Sequence, residues 1–416
     1  MQELSTLALV ALSMIGIAAG RLPRLRMNRP SMALAFAVLL VAAGALSPEE
    51  ALASVDLGTI VLLLAMMLVV ANLRLAGFFT AAGARLLAAA RTPRLLLALV
   101  VAASGLLSAL FLNDTVCLMM TPLAVELACR SERDPVPYLV GLATSANVGS
   151  CATIIGNPQN MLIGASSGIS FGSFLARLGP SSLLGLGICW LFVVLAFPGE
   201  FARGASLGPA RSGSSARGGG EAVDRRLVAK SLGATALMIA LLLAGTSAAL
   251  AASAAAAILL FTRRIAPERV FAEVDFGLLV FFSGLFVITR ALAGTAAFAA
   301  GVRAASPTLS SGGRGALAAF SGLSLLASNL ISNVPAVMLF RPLVPLFAKP
   351  EKAWLVLAMA STYAGNLTLL GSVANLIVAE GARPLGVELS FGKYLRAGLP
   401  ITLATTALGT AWLLFA

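Results

Sequence analysis

The chain has 416 residues, 59% of them hydrophobic and only 11% charged, with a mean hydropathy of +0.96. A soluble domain needs far more surface charge, and backbone in lipid must satisfy its own hydrogen bonds, so the continuous Leu, Ala and Val runs read as membrane helices. The net charge of +12 sits in short loops between those runs, where it reports topology and not nucleic acid, and the absence of His excludes His-based catalysis and His metal ligation.

Apolar segments fall at 4–20, 31–46, 57–73, 95–112, 115–129, 136–165, 180–197, 227–245, 247–262, 276–298, 316–331, 334–347, 352–380 and 394–415. The first has its basic residues after it, at Arg21, Arg24, Arg26 and Arg29. A signal peptide has the reverse order, so a retained span with an outside N-terminus is expected. Segments 95–112 and 115–129 are separated only by Asn113-Asp114, and 316–331 and 334–347 only by Ser332-Asn333. Those connections are too short for a loop in water, so 95–129 and 316–347 are predicted to be re-entrant hairpins. Segment 136–165 contains Gly156-Asn157-Pro158, where Pro removes a donor and breaks the helix. Segment 352–380 carries a matching interruption from Gly365 to Asn375. Between them, 201–226 is expected to be a flexible linker, because 204–220 is almost all Gly, Ser, Ala and Arg. It separates a first repeat (1–200) from a second (227–416).

The two halves share short matches in one order: Val55-Asp56 with Val274-Asp275, Ser104-Gly105-Leu106 with Ser321-Gly322-Leu323, Asn113 with Asn333, Gly149 with Gly365, Asn160 with Asn375, and Ser170-Phe171-Gly172 with Ser390-Phe391-Gly392. Ten full spans, five per half, make the repeats inverted. With both termini outside, 22 of the 29 basic residues fall on the inside, against five in outside loops; treating the hairpins as full spans reverses that bias. The predicted fold is therefore an all-α integral membrane protein of two inverted repeats, with about ten transmembrane helices, two re-entrant hairpins and two broken helices.

Broken helices at matching positions point to a binding site near the midplane. Asp114 is an acid amid apolar sequence and is expected to hold the coupling ion, H⁺ or Na⁺, with oxygens from Ser150, Asn160 and Asn375. The alternative for Asp114 is a plain helix N-cap. Asn113, Thr115, Asn157, Ser332, Asn333, Asn366, Thr368 and Ser372 are the expected substrate residues. Asp56 and Asp275 read as N-caps, and Glu126 as an i,i+4 partner of Arg130. Cys117, Cys129, Cys151 and Cys189 form no CxxC pair, so neither a disulfide framework nor a zinc site is expected.

At these residues the sequence resembles the ion transporter superfamily, which holds arsenite-efflux permeases, sodium–proton antiporters and citrate and divalent-anion symporters. The resemblance rests on Asn113-Asp114-Thr115, Gly156-Asn157-Pro158-Gln159-Asn160, Ser332-Asn333-Val334-Pro335 and the run from Gly365 to Ser372, within residues 30–416. It implies a homodimer in a bacterial-type plasma membrane, moving by an elevator mechanism. The dicarboxylate symporters carry Ser-Asn-Thr at both tips; the Asn-Asp and Asn-x-Pro tips here are closer to the arsenite-permease branch. The expected function is cation-coupled secondary transport of a small anion or metalloid oxyacid, with no cofactor beyond a bound Na⁺. A Na⁺/H⁺ antiporter is the alternative. An intramembrane enzyme is a weaker one, since no paired-acid, His or Ser/Lys constellation is present.

Overall fold

Helix starts are written into the sequence as a polar cap followed by Pro in the first turn, which fits where the backbone N–H has no partner anyway. Pro30, Pro48, Pro93, Pro135 and Pro158 follow such a cap, and Pro267 and Pro350 take the same first-turn place without a side-chain cap bond. Asp56 caps one span by accepting from the Thr59 amide at 3.0 Å, and Asp275 caps another by accepting from Leu278 at 3.0 Å. A computed structural model describes residues 2–22, 27–202, 223–262, 264–310 and 313–415; the core of the linker (203–222) and Ala416 lie outside them.

The first half comprises α1 (Gln2–Ala19), α2 (Arg29–Ala42), α3 (Pro48–Ser54), α4 (Leu57–Leu75), α5 (Phe78–Ala89), α6 (Pro93–Leu110), α7 (Asn113–Arg130), α8 (Pro135–Ser150), α9 (Pro158–Ser167) and α10 (Phe171–Ala196). The second repeats this order with α11 (Arg225–Leu243), α12 (Ala248–Leu260), α13 (Pro267–Phe271), α14 (Phe276–Ala293), α15 (Ala296–Ser310), α16 (Arg314–Ile331), α17 (Asn333–Phe340), α18 (Pro350–Ala364), α19 (Val373–Ala382) and α20 (Phe391–Phe415). A 3-10 helix, Arg341–Leu346, extends α17. The only strands among the described residues are a two-residue antiparallel pair, Arg21–Leu22 with Met27–Asn28. Two differences from the sequence reading stand out. Helices α5 and α15 lead into the hairpins as separate elements, and segment 276–298 is divided at Gly294-Thr295.

Among the described residues, eight helices are long and apolar enough to cross a membrane: α1, α4, α6, α10, α11, α14, α16 and α20. Length alone would count α6 and α16 as crossings. Both instead end against a helix break: the amide of Asn113, at the α6–α7 tip, donates to the Gly156 carbonyl at 3.0 Å, in the break between α8 and α9, and the Asn329 side chain, in the last turn of α16, donates to the Ala364 carbonyl at 3.0 Å, at the end of α18. The shorter apolar helices α2 and α12, together with the two-piece crossings α8–α9 and α18–α19, complete five crossings per half. Five is odd, so the repeats are inverted.

The halves interlock. Helix α2 packs on α14 and α4 on α12, so each scaffold pair takes one member from each repeat. Helices α6 to α10 and α16 to α20 form a second body, through α6–α8, α16–α18, α7–α19 and α10–α20 contacts. In it α6 and α8 touch backbone to backbone: a Cβ on Gly149 would lie 2.1 Å from the Gly105 carbonyl oxygen. Beyond α10, Arg94 donates twice to the Phe201 carbonyl, at 3.0 and 2.8 Å, and the Tyr138 hydroxyl donates to Glu200 at 2.9 Å. Burial there pushes the Glu200 carboxyl above its ordinary value. Glu126 pairs with Arg130 at 2.6 Å.

Candidate functional site

Each broken helix exposes backbone donors and acceptors at its break, and buried polar groups must find partners. The two breaks solve this identically. Asn160, in the first turn of α9, donates to the carbonyls of Ser150 (3.2 Å) and Thr153 (3.0 Å). Asn375, in the first turn of α19, donates to those of Gly365 (2.7 Å) and Thr368 (3.1 Å). The N-caps also correspond: Asn157 accepts from the Asn160 amide at 2.9 Å, and Ser372 from the Ala374 amide at 3.2 Å. These bonds pair Ser150 with Gly365, one residue away from the sequence pairing of Gly149 with Gly365. They also make Asn147 and Thr362 equivalents, each lying one turn before a break.

From those places each half reaches into the other. Thr362 accepts from Asn157 and Gln159, both at 3.3 Å, and lies 3.5 Å from the Asn160 amide oxygen. Asn147 donates to the amide oxygens of Asn366 (2.9 Å) and Asn375 (3.0 Å), and accepts from Asn113 (3.0 Å) and Ser372 (3.1 Å). Asn113, Ser150, Asn157, Asn160, Asn366, Ser372 and Asn375 therefore meet in one buried network. Ser150 accepts from Asn157 at 2.9 Å and donates to the Asn147 carbonyl at 2.8 Å. Thr115 and Thr368 are half-buried, and their side chains hold no hydrogen bond among the described residues.

Asp114 stands apart from this network. It is in the first turn of α7, half-buried, with no hydrogen bond or ion pair among the described residues. The N-cap of α7 is Leu112, without any side-chain cap bond, so Asp114 does not cap the helix. The charges acting on it are Asp275, at the α14 cap, and Arg29, at the start of α2. Both belong to the other body of the fold.

The tips also keep buried oxygens without partners. At the first these are Ser108 Oγ and Asn113 Oδ1; at the second, Ser328 Oγ, Asn329 Oδ1 and Asn333 Oδ1. Ser332 there has φ +80° and ψ 158°, a conformation L-residues avoid. A Cβ on Gly156 would lie 2.3 Å from the Ser150 carbonyl and 2.8 Å from that of Ser108, so only Gly lets the first break approach its hairpin. Sequence reasoning missed Asn147, Thr362, Ser108, Ser328 and Asn329, and placed Gln159 in a motif without giving it a role. The available signal for Asn147 was an amide in an otherwise apolar helix, one turn before a glycine break.

Paired broken helices clamped by paired hairpins, with an acid at one tip and amides at the centre, define a multi-pass membrane protein of the secondary-transporter class and not an enzyme. Residues 9–364 match the citrate transporter family, CitMHS, and the chain belongs to it. Its relatives include the silicon efflux transporter LSI3 of Oryza sativa subsp. japonica, 34% identical over 93% of this chain and 92% of that protein. The putative transporter arsB of Dictyostelium discoideum is 26% identical over 92% of this chain and 87% of its own length. The crystal structure of the Alcanivorax borkumensis YdaH transporter superposes with a TM-score of 0.65, covering 100% of this chain and 98% of that one at 14% identity, a likeness of fold. The superfamily resemblance carried by the motifs is thus a family membership.

Proposed function

We propose that the protein couples H⁺ or Na⁺ to the transport of a small oxyacid or its anion, such as arsenite or silicic acid. The observation that carries this is the chemistry of the centre. Amides and hydroxyls from both halves converge there, and among the described residues no Lys or Arg side chain hydrogen-bonds into the network. Such a site suits a neutral or weakly charged hydroxylated solute better than a tricarboxylate, which calls for charge-assisted donors. The silicon and arsB relatives support the same class. Unpartnered tip oxygens suit a hard cation, and Asp114 supplies the charge that H⁺ or Na⁺ neutralises.

The body of α6–α10 and α16–α20 is the moving unit of an elevator in this reading, and α1–α4 with α11–α14 the fixed one. The protein acts as a homodimer in a bacterial-type plasma membrane, with both termini outside and residues 201–226 cytoplasmic. A Ser214→Cys variant, at a position outside the described residues, should resist impermeant thiol reagents in intact cells; labelling from outside would reject the orientation.

Transport is tested in proteoliposomes with arsenite or silicic acid under imposed Na⁺ or pH gradients. Uphill movement of either solute under one gradient is the expected result. Exchange of Na⁺ for H⁺ with neither solute moving would instead establish the antiporter, which the lone acid Asp114 could serve.

A further inference from the structure

We infer that Asn147 is a positioning residue: it fixes the orientation of the Asn113 amide, so that the first hairpin tip presents an oxygen and not an N–H₂ group to the coupling cation. The inference deepens the proposed function and rests on the first tip being a cation site.

The argument starts from backbone carbonyls, which only accept. The Thr144 carbonyl accepts from the Asn366 side chain at 3.0 Å, so the Asn366 nitrogen is committed there and its oxygen faces the other way. The carbonyls of Gly365 and Thr368 hold the Asn375 nitrogen in the same manner. Both amide oxygens then face Asn147, which is buried on α8 and 2% exposed. Two acceptors can be met only by a donor, so the Asn147 nitrogen points at them, at 2.9 and 3.0 Å. Its oxygen therefore turns to the opposite side, where Ser372 Oγ donates at 3.1 Å. Asn113 must meet that oxygen with its own nitrogen, which it does at 3.0 Å. The chain of orientations ends at Asn113 Oδ1, which is buried and has no hydrogen-bond partner.

A buried acceptor without a donor is costly unless something else occupies it. Ser108 Oγ, also buried and unpartnered, lies on the last turn of the preceding hairpin helix, and Asp114 follows next in the chain. The ligand class these groups fit is a small hard cation, coordinated by oxygen alone. The orientation is set by the second half: the carbonyls of its break hold Asn375, and its Asn366 is tied back to α8. At the second tip no such device operates, since Asn333 makes no hydrogen bond through its side chain among the described residues and Thr362, the equivalent of Asn147, has no amide to transmit.

The test is the thermal midpoint of the purified full chain, with sodium chloride titrated against choline chloride. It compares wild type with Asn147→Leu and Asn147→Asp, and with Asn147→Ala should the Leu variant fail to insert. Both main variants lose the donors to Asn366 and Asn375. Only Asn147→Asp keeps an oxygen facing Asn113. Asn147→Leu should raise the sodium concentration for half-maximal stabilisation on the order of tenfold, the loss expected for one misdirected ligand. Asn147→Asp should leave it unchanged or lower it. If wild type responds to sodium and the two variants shift alike, Asn147 is structural only and the inference is overturned. If wild type gains stability neither from sodium nor from acidification, the cation reading of the tip fails and takes this inference with it.

Discussion

The two hairpin tips descend from one repeated pattern and differ in what holds them. The first turns on an ordinary backbone, ties its amide to the Gly156 carbonyl and its side chain to Asn147, and carries Asp114. The second turns on Ser332 at φ +80°, leaves the Asn333 and Asn329 amide oxygens bare, and has Val334 where the first has its acid. A shared skeleton of capped half-helices thus supports one tip with an acid and a tied amide and one turned on a strained backbone. In an inverted repeat this is informative, because the breaks themselves are bonded alike. What distinguishes the halves is the side chain one turn before each break, Asn147 or Thr362.

The largest expected effect lies in the acid. Asp114→Asn should insert and fold, since the side chain has no hydrogen bond or ion pair to lose among the described residues. It should nevertheless lose gradient-driven uptake in proteoliposomes. Wild-type uptake by this variant would erase the functional contrast between the tips.

Next come the glycines that let each break approach its hairpin. Gly156→Ala meets two backbone carbonyls at 2.3 and 2.8 Å, whereas Gly371→Ala meets its nearest atoms at 3.0 Å, one of them the Asn329 side chain. Overpacking of the first kind typically costs ~1–3 kcal/mol or more, so Gly156→Ala should unfold at a clearly lower temperature than Gly371→Ala. Equal midpoints would mean that the first break is no tighter than the second.

The amides sharpen the comparison further. Asn113→Leu leaves the Asn147 oxygen with a single donor and should cost about 1–3 kcal/mol in thermal or denaturant unfolding. Asn333→Leu removes an amide that bonds to nothing among the described residues, and should be near neutral in stability while still weakening transport. The reverse ranking would place the rigid tip in the wrong half.

The smallest effect concerns strain. Ser332→Gly should raise the unfolding free energy by roughly 0.5–1 kcal/mol, since Gly adopts this backbone freely. The corresponding Leu112, at φ −59°, has no such strain to relieve. A Ser332→Gly variant no more stable than wild type would show that the tips do not differ in strain.

The sequence by itself determined the membrane class, the all-α fold and the transporter family. Hydropathy, proline and paired polar tips are local properties, and the bilayer leaves helices as the only use for such runs. It also placed Asp56 and Asp275 correctly as caps, because a cap bonds three residues along its own chain. Only the tertiary structure decided that Asp114 is no cap, that the Asn113 amide meets the Gly156 carbonyl, and that Asn160 and Asn375 spend their nitrogens on break carbonyls. Asn147 was illegible for the same reason. Its partners lie 34, 219, 225 and 228 residues away, and an amide's orientation depends on which distant groups can only accept.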